Sequence, residues 1–178
     1  MVIIGKLKII LIVFGTLSEA LVPYLVEGLS REFAAEVVLG ENLPIPNQAY
    51  DSRRRQYRAE DFLPLLALRR REPTDLVLGV SAVDLFVPQL NFVFGLAEPR
   101  QLAAVISVAR LDPLFYQYPP DPALLKERAL KEAVHELGHL LGLPHCQNPY
   151  CIMFFSNTLA DTDRKGPGFC QACRKKIP

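Results

Sequence analysis

The first third of the chain alternates between short apolar runs and one amphipathic segment. The run Lys8–Phe14 is short, continuous and rich in β-branched residues, which predicts a buried central strand. Apolar residues near helical spacing then predict a helix that begins after a Ser18 cap and ends at about Ala35. Glu36–Leu39 has the character of a second strand. Strand, helix and strand in this order predict an α/β layer with a right-handed crossover.

Three further apolar runs extend the predicted sheet. Strands are expected over residues 76–80, 91–96 and 104–110. The last two flank a Glu98-Pro99-Arg100 turn, and we expect them to pair as a hairpin. An edge strand of that kind can hold an extended peptide through its backbone hydrogen bonds.

A basic run, Asp51-Ser52-Arg53-Arg54-Arg55-Gln56-Tyr57-Arg58, lies between the second and third predicted strands. Such a run can bind phosphate or an acidic peptide tail. A solvated loop that leads into a helix over residues 59–71 explains the same residues without a ligand, and we favour that interpretation. The leucines of this helix that we expect to point inward are Leu63, Leu66 and Leu68.

The most regular pattern lies in the C-terminal third. Asp121 and Pro122 are residue types preferred at a helix N-cap and at the first helical position, respectively. An apolar stripe continues at steps of four, three and four through Leu130, Val134, Leu137 and Leu141. A second face carries, with the same rhythm, Arg128, Glu132, His135 and His139. The helix can therefore bury its leucines while holding two histidines towards a cleft.

The composition narrows the class of protein. The chain has 178 residues, a net charge of +1 and 50% hydrophobic residues, which suits one globular domain and calls for neither nucleic acid nor an anionic membrane. Lys6 and Lys8, followed by an apolar run over 9–14, loosely resemble a targeting signal, but the run is too short for a signal peptide or a membrane span. A buried strand explains it better, so we expect a soluble, cytoplasmic protein.

All three histidines of the chain lie in one short stretch from His135 to His145. His135 and His139 are four residues apart on the helix and can bind one zinc ion together. Gly142 can end the helix in a left-handed conformation, so that His145 returns as a third ligand. Three imidazoles leave the fourth position of zinc to water, and Glu136 lies next to the first ligand as a general base. The pattern HExxHxxGxxH is the metzincin signature.

The four cysteines of the chain follow these histidines. A pair at Cys146 and Cys151, with a CxxC pair at Cys170 and Cys173, is the usual form of a closed, structural zinc site with four thiolate ligands. Iron in the same cage and two disulfides are the alternatives. Because His145 and Cys146 are neighbours, a metal ion there would fix the chain that carries the third histidine. Nearby cations would offset the charge of four thiolates: Lys165, Arg174, Lys175 and Lys176.

These residues together resemble one family. The succession of HExxHxxGxxHC, CxM and CxxC over residues 135–173 is similar to that of the archaemetzincin metalloproteases. The resemblance implies a compact, metzincin-like α/β domain with a small mixed sheet, and Glu136 as general base with a catalytic zinc ion on His135, His139 and His145. It also implies a Met-turn at Met153 as a hydrophobic floor, and a structural zinc ion on Cys146, Cys151, Cys170 and Cys173.

The chain departs from some metzincins after the Met-turn. They carry a tyrosine two residues after the methionine, where it can reach the metal, whereas this chain has Phe155. Residues 154–157 are candidates either for the pocket beyond the scissile bond or for plain core packing. Glu132 or Asp84 could recognise a free amino terminus, although a surface charge is the simpler interpretation of each.

We therefore expect residues 1–178 to form one metalloprotease domain. Residues 1–120 would be mainly a sheet-and-helix scaffold, and 121–178 the active-site helix, the Met-turn and the four-cysteine zinc segment. The expected function is a zinc-dependent peptidase with two zinc ions per chain, acting as a monomer on peptides or proteins. A zinc-stabilised peptide-binding module with little or no turnover is the alternative. We expect no nucleic acid or membrane partner.

Overall fold

Eight strands lie within residues 7–177, the part of the chain that this computed structural model describes. They are β1 Lys8–Phe14, β2 Glu36–Leu39, β3 Tyr50–Asp51, β4 Gln56–Arg58, β5 Leu76–Ser81, β6 Leu85–Phe86, β7 Gly95–Glu98 and β8 Ala103–Ser107. Five of them form a mixed sheet in the order β2-β1-β5-β8-β7, and the others form a small sheet in the order β3-β4-β6. In the large sheet all neighbours are parallel except β7 and β8, so β7 is an edge strand that belongs to a hairpin.

The helices cover both faces of the large sheet. They are α1 Leu21–Phe33, α2 Leu63–Ala67, α3 Pro122–Leu140, α4 Leu159–Arg164 and α5 Gln171–Arg174. Successive side chains of a strand point to opposite faces, and β1 shows how this divides the core. Ile9 and Leu11 pack with residues of α1 and α3, whereas Ile10 and Ile12 pack with residues of α2. The sheet is therefore a middle layer, and α3 lies against the end of it formed by β7 and β8.

The predicted α/β class is confirmed, together with its main strands. β1 and β2 have the expected bounds and pair in parallel, and β7 and β8 form the expected hairpin. The hairpin strands are shorter than predicted, since β7 begins at Gly95 and β8 ends at Ser107. No helix in the described part of the chain is long and apolar enough to cross a membrane. Lys6, one of the two lysines that resemble the charged region of a targeting signal, lies outside the described residues.

Two helix predictions need correction. The side chain of Ser18 does not cap α1, because the helix begins at Leu21 and takes only the backbone carbonyl of Ser18 as a hydrogen-bond acceptor. The helix expected over 59–71 is a short 3₁₀ turn followed by α2, and Leu68 is 75% exposed instead of inward. The chain leaves the helix early because it must turn into β5, and the Asp75 carboxylate accepts two backbone N–H groups of that turn.

The basic run is not a simple solvated loop. It contributes the turn of the β3–β4 hairpin and all of β4, which pairs with β6. Asp51 stabilises the turn, because its carboxylate accepts the backbone N–H groups of Arg53 and Arg54 at 2.9 and 3.0 Å. Pairing with a distant strand is a tertiary effect that local composition does not reveal.

Buried charges attach α3 to the segment that follows it. Asp121 caps the helix as predicted, since its side chain accepts the Leu124 N–H at 2.9 Å. Further along α3, Lys165 Nζ donates to Glu132 Oε1 at 2.9 Å, and the two side chains are 0% and 4% exposed. Thr162 Oγ1 donates to the same carboxylate oxygen at 3.0 Å. Glu132 is therefore not a surface charge, and Lys165, expected to offset the thiolates, pairs with this carboxylate.

We predict that Lys165→Met lowers the free energy of unfolding of the zinc-loaded protein by about 3 kcal/mol, because the Glu132 carboxylate stays buried without its cation. Chemical denaturation measures the change. Lys131→Met is the matched control, since Lys131 is equally buried but pairs with Glu127, whose side chain is 56% exposed. It should lose less than about 1 kcal/mol. Equal losses in the free energy of unfolding would show that the buried pair stabilises the protein no more than the exposed pair does.

Candidate active site and metal centres

The histidines of α3 face an open cleft. His135 is buried and His139 is half-buried one turn later, on the same face of the helix as predicted. The helix ends at Leu140, and Gly142 follows with a φ of +88°, a left-handed conformation that strains residues with a side chain. The chain then turns back and brings His145 beside the other two imidazoles.

The three imidazoles converge through their Nε2 atoms. Nε2 of His139 lies 3.1 Å from that of His135 and 3.2 Å from that of His145. The Nδ1 atoms of His135 and His139 lie 2.8 Å from the carbonyl oxygens of Ile152 and Leu143. A carbonyl can only accept, so each Nδ1 carries the proton and each facing Nε2 has a lone pair.

Facing lone pairs repel each other unless a cation lies between them, so this geometry is suited to a metal ion. Nitrogen ligands about 2.0–2.1 Å from a tetrahedral zinc ion are about 3.3 Å from one another. The observed separations of 3.1 and 3.2 Å between Nε2 atoms are close to that value. The histidine cluster therefore fits zinc in both donor type and spacing.

Burial keeps these imidazoles in the neutral form. It lowers the pKa of His135 well below the usual value, and it also lowers the pKa of His139 and of His145. The ammonium group of Lys165 lowers the pKa of all three further. Neutral imidazole is the form that binds metal, so little free energy is needed to deprotonate the ligands near pH 7.

Glu136 lies beneath the edge strand β7, in the wall of the same cleft. A Cβ atom at Gly95 would come within 2.6 Å of Glu136 Oε1, so the carboxyl group occupies the space that the glycine leaves. Burial raises the pKa of Glu136 to about 8, and the Glu132 carboxylate acts in the same direction. Glu136 therefore holds a proton at pH 7 unless a cation beside it favours the ionised form.

A cavity of about 650 Å³ opens in front of the histidines and Glu136. Its lining includes β7 and the segment that leads into it, together with Phe155, Ser156 and Asn157. The ring of Phe155 lies 4.8 Å from that of His145, and the residue is 42% exposed. These three residues therefore line the cleft instead of filling the core. The apolar side chains around the cavity include Val87, Leu90, Phe92, Phe94, Leu96 and Leu143.

The four cysteines form a second cluster directly after His145. Their Sγ atoms all lie within 4.8 Å of one another, and those of Cys146 and Cys170 are 3.9 Å apart. A disulfide needs about 2.05 Å, whereas sulfur ligands of a tetrahedral zinc ion are about 3.8 Å apart. None of the four cysteines forms a disulfide. The cluster therefore fits a four-thiolate metal site in donor type and spacing, and the geometry does not suit two disulfides.

The Met-turn lies between the two clusters. Met153 is fully buried beneath α3, where a Cβ atom at Gly138 would come within 2.5 Å of its Sδ atom. The Met153 carbonyl accepts the backbone N–H of Cys146 at 2.9 Å. The carbonyl of the preceding residue, Ile152, holds His135. One short segment thus contacts both the histidine and the cysteine clusters.

Some parts of the site had no signal in the sequence. The carbonyl groups of Leu143 and Ile152 orient imidazoles, but every residue has a carbonyl, so only the folded chain identifies them. The missing side chain of Gly95 leaves the space that the Glu136 carboxyl group occupies, and the two residues are far apart in the chain. Asp84, considered for an amino terminus, binds Arg110 at 2.7 Å and is not among the residues that line the cleft.

Comparison with known proteins finds relatives over most of the chain. The model of peptidase family M54 matches residues 38–178. An archaemetzincin of Pyrococcus furiosus is 46% identical over 175 residues, which cover 95% of this chain and 91% of that protein. A zinc-dependent peptidase of Methanocorpusculum labreanum superposes with a TM-score of 0.87 at 30% identity, covering 96% of this chain and 100% of that one. The archaemetzincin of Archaeoglobus fulgidus superposes with a TM-score of 0.82 at 39% identity, covering 95% and 99%.

We predict that zinc binding at pH 7 releases about one more proton per chain from the unsubstituted protein than from Glu136→Gln. With a pKa of about 8, Glu136 is protonated before zinc binds, and the cation then favours its carboxylate. Calorimetric titration in buffers of different ionisation enthalpy counts the protons, and the thiols contribute equally in both proteins. The difference should shrink above pH 8. Equal counts at pH 7 would mean that the protonation state of Glu136 does not change when zinc binds.

Proposed function

The chain belongs to peptidase family M54, the archaemetzincin family of zinc metallopeptidases, and on that premise we propose that it hydrolyses peptide bonds with Glu136 as the general base. The proposed ligands of the catalytic zinc ion are His135, His139 and His145. The observation that carries the proposal is the convergence of three imidazole Nε2 atoms next to a buried carboxyl group, in a cleft large enough for a peptide segment.

A zinc ion held by His135, His139 and His145 would supply Lewis acidity, which would polarise the scissile carbonyl and let the attacking water give up a proton near neutral pH. Glu136, in its carboxylate form, accepts that proton and later returns it to the amine of the leaving fragment. Its burial supports the second step, because a poorly solvated carboxyl group prefers its neutral form until the proton has an acceptor. The carbonyl groups of Ile152 and Leu143 hold the protons on Nδ1 of His135 and His139, which leaves the Nε2 lone pairs of these two residues available to a metal ion.

The substrate is a peptide or protein, and β7 is the proposed binding strand. Among the described strands β7 pairs only with β8, so its outer backbone groups can receive an extended peptide as a further strand. Residues 95–97 of this strand line the cleft beside Glu136. The mainly apolar walls favour substrates with apolar side chains near the scissile bond.

We further propose that Cys146, Cys151, Cys170 and Cys173 hold a second, structural zinc ion, which gives two zinc ions per chain. We also propose that residues 1–178 form one domain, built from the scaffold 1–120 and the active-site part 121–178. One hydrophobic core contains both Ile9 of β1 and Cys173 near the C-terminus, which supports this proposal. A monomeric state, a cytoplasmic location and the absence of nucleic acid or membrane partners remain predictions.

We predict that Glu136→Gln lowers kcat/KM on a peptide library by about 10³-fold or more, because the proton acceptor is lost, while the zinc content stays unchanged. Mass spectrometry of cleaved peptides and elemental analysis measure the two quantities. Glu127→Gln, the same substitution at an exposed position of α3, is the control and should keep full activity.

Full activity of Glu136→Gln would remove this residue as the base. A zinc-loaded, unsubstituted protein that binds peptides but cleaves none would favour the alternative function, a zinc-stabilised peptide-binding module.

We predict that Cys173→Ser weakens catalytic zinc binding about tenfold, although this residue is not a proposed ligand of that ion. Loss of the second metal would release the chain around Cys146, which follows His145 and bonds to the Met-turn. Cobalt(II) can replace zinc and gives distinct spectra for thiolate and imidazole sites, so titration follows each site separately. A folded variant with unchanged affinity at the histidine site would show that the two centres are independent.

A further inference from the structure

The three consecutive arginines of the basic run do not share one environment. Arg53 and Arg55 are exposed, whereas Arg54 is half-buried. The turn itself produces this difference, because Asp51 accepts the N–H groups of Arg53 and Arg54 and Arg55 takes a left-handed φ of +57°. The hairpin thus directs one particular guanidinium group towards the rest of the protein.

The guanidinium group of Arg54 is bound to a distant stretch of backbone. Its Nη2 atom donates to the carbonyl oxygens of Leu90 and Asn91 at 2.7 and 3.0 Å. Its Nε atom donates to Gln56 Oε1 at 3.0 Å, and its Cζ atom lies 4.2 Å from the centre of the Phe86 ring. These contacts use three of the five N–H donors of the group, so most of Arg54 is committed to this backbone instead of to phosphate or an acidic peptide tail.

A second side chain of the hairpin strengthens the same attachment. Gln56 is buried, and its Nε2 atom donates to the Asn91 carbonyl at 2.9 Å and to Asp84 Oδ2 at 3.0 Å. Asp84 in turn accepts two hydrogen bonds from Arg110 at 2.7 and 2.8 Å. The guanidinium group of Arg110 also lies 4.3 Å from the centre of the Phe92 ring. Polar and charged side chains therefore hold residues 90–92 from two directions.

The segment held in this way is the wall of the proposed substrate cleft. Residues 87–94, which we call the cleft wall, include six lining residues and lead directly into β7. The wall has few backbone bonds of its own, chiefly a turn between Leu90 and Val87 and one bond from Val93 to Leu85. Among the described residues, the carbonyl groups of Leu90 and Asn91 accept side-chain donors from the hairpin and no backbone donors.

We propose that Arg54 is a positioning residue for substrate binding, whose guanidinium group holds the cleft wall in the shape that receives the peptide. The inference rests on the proposed peptidase function, because it assigns a purpose to the wall of that cleft. Arg54 lies outside the residues that line the cavity, so it acts through the backbone of Leu90 and Asn91. Wall contacts with a peptide are made in the ground state and the transition state alike, and their loss therefore raises KM while leaving kcat nearly unchanged.

Steady-state kinetics on an extended peptide substrate tests this. Arg54→Ala should raise KM about tenfold with kcat within about twofold of the unsubstituted enzyme and with unchanged zinc content. Arg53→Ala removes the same charge from the same turn and should change neither constant. Arg54→Lys keeps the charge but loses the planar fork that reaches two carbonyls, so its KM should lie between the other two.

A KM for Arg54→Ala equal to that of Arg53→Ala would overturn the proposal, as would a fall in kcat with loss of zinc and no change in KM. Hydrogen exchange provides a readout that does not need activity. The amides of residues 87–94 should exchange faster in Arg54→Ala than in Arg53→Ala, while those of α3 stay unchanged. If no peptide is cleaved by the unsubstituted enzyme, the proposed function fails, and equal exchange in the two variants would separately reject the role of Arg54.

Discussion

The candidate active site depends on two hydrogen bonds in which a backbone carbonyl accepts an imidazole Nδ1–H. The carbonyl of Leu143 holds His139 and that of Ile152 holds His135, both at 2.8 Å. Each bond selects the tautomer with its lone pair on Nε2 and turns that lone pair towards the same point. Backbone carbonyls neither titrate nor change rotamer, so the orientation is built into the fold. The turn at Gly142 and the Met-turn serve this purpose, because they bring the two carbonyls against α3.

The same burial that keeps the proposed zinc ligands neutral opposes ionisation of Glu136, the proposed general base. Low solvation lowers the pKa of His135 and raises that of Glu136, so before metal binding the site favours neutral forms of both. The buried pair of Glu132 and Lys165 limits this effect, since the carboxylate raises the pKa of Glu136 while the ammonium group lowers it. A lone carboxylate at position 132 would push Glu136 further towards its protonated form. The pair therefore adds little net charge to a site whose proposed mechanism requires Glu136 to ionise.

The parts of the molecule that follow from short-range pattern were predictable. A β-branched run gave β1 its bounds, and the Asp121-Pro122 pair marked the start of α3. The spacing of His135, His139 and His145 was sufficient to infer that their rings share one point, since a helix turn and a glycine determine the path between them. Prediction failed where residues distant in the chain determine the structure. The basic run is part of a hairpin because β6 pairs with its second strand, β4. Glu132 is buried because the ammonium group of Lys165 neutralises its charge.

This division explains why the chemistry is easier to infer than the substrate. The proposed metal ligands and base are encoded within a few turns of one helix and its return, so one motif carries them together. The cleft has no such motif: β7, the wall over 87–94 and Phe155 come from separate stretches of chain, and their shape depends on contacts such as that of Arg54 with Leu90. Substitutions in those stretches can change the cleft without touching the helix that holds the histidines. Within a family that keeps the motif, specificity is therefore expected to vary with the contacts that position the wall.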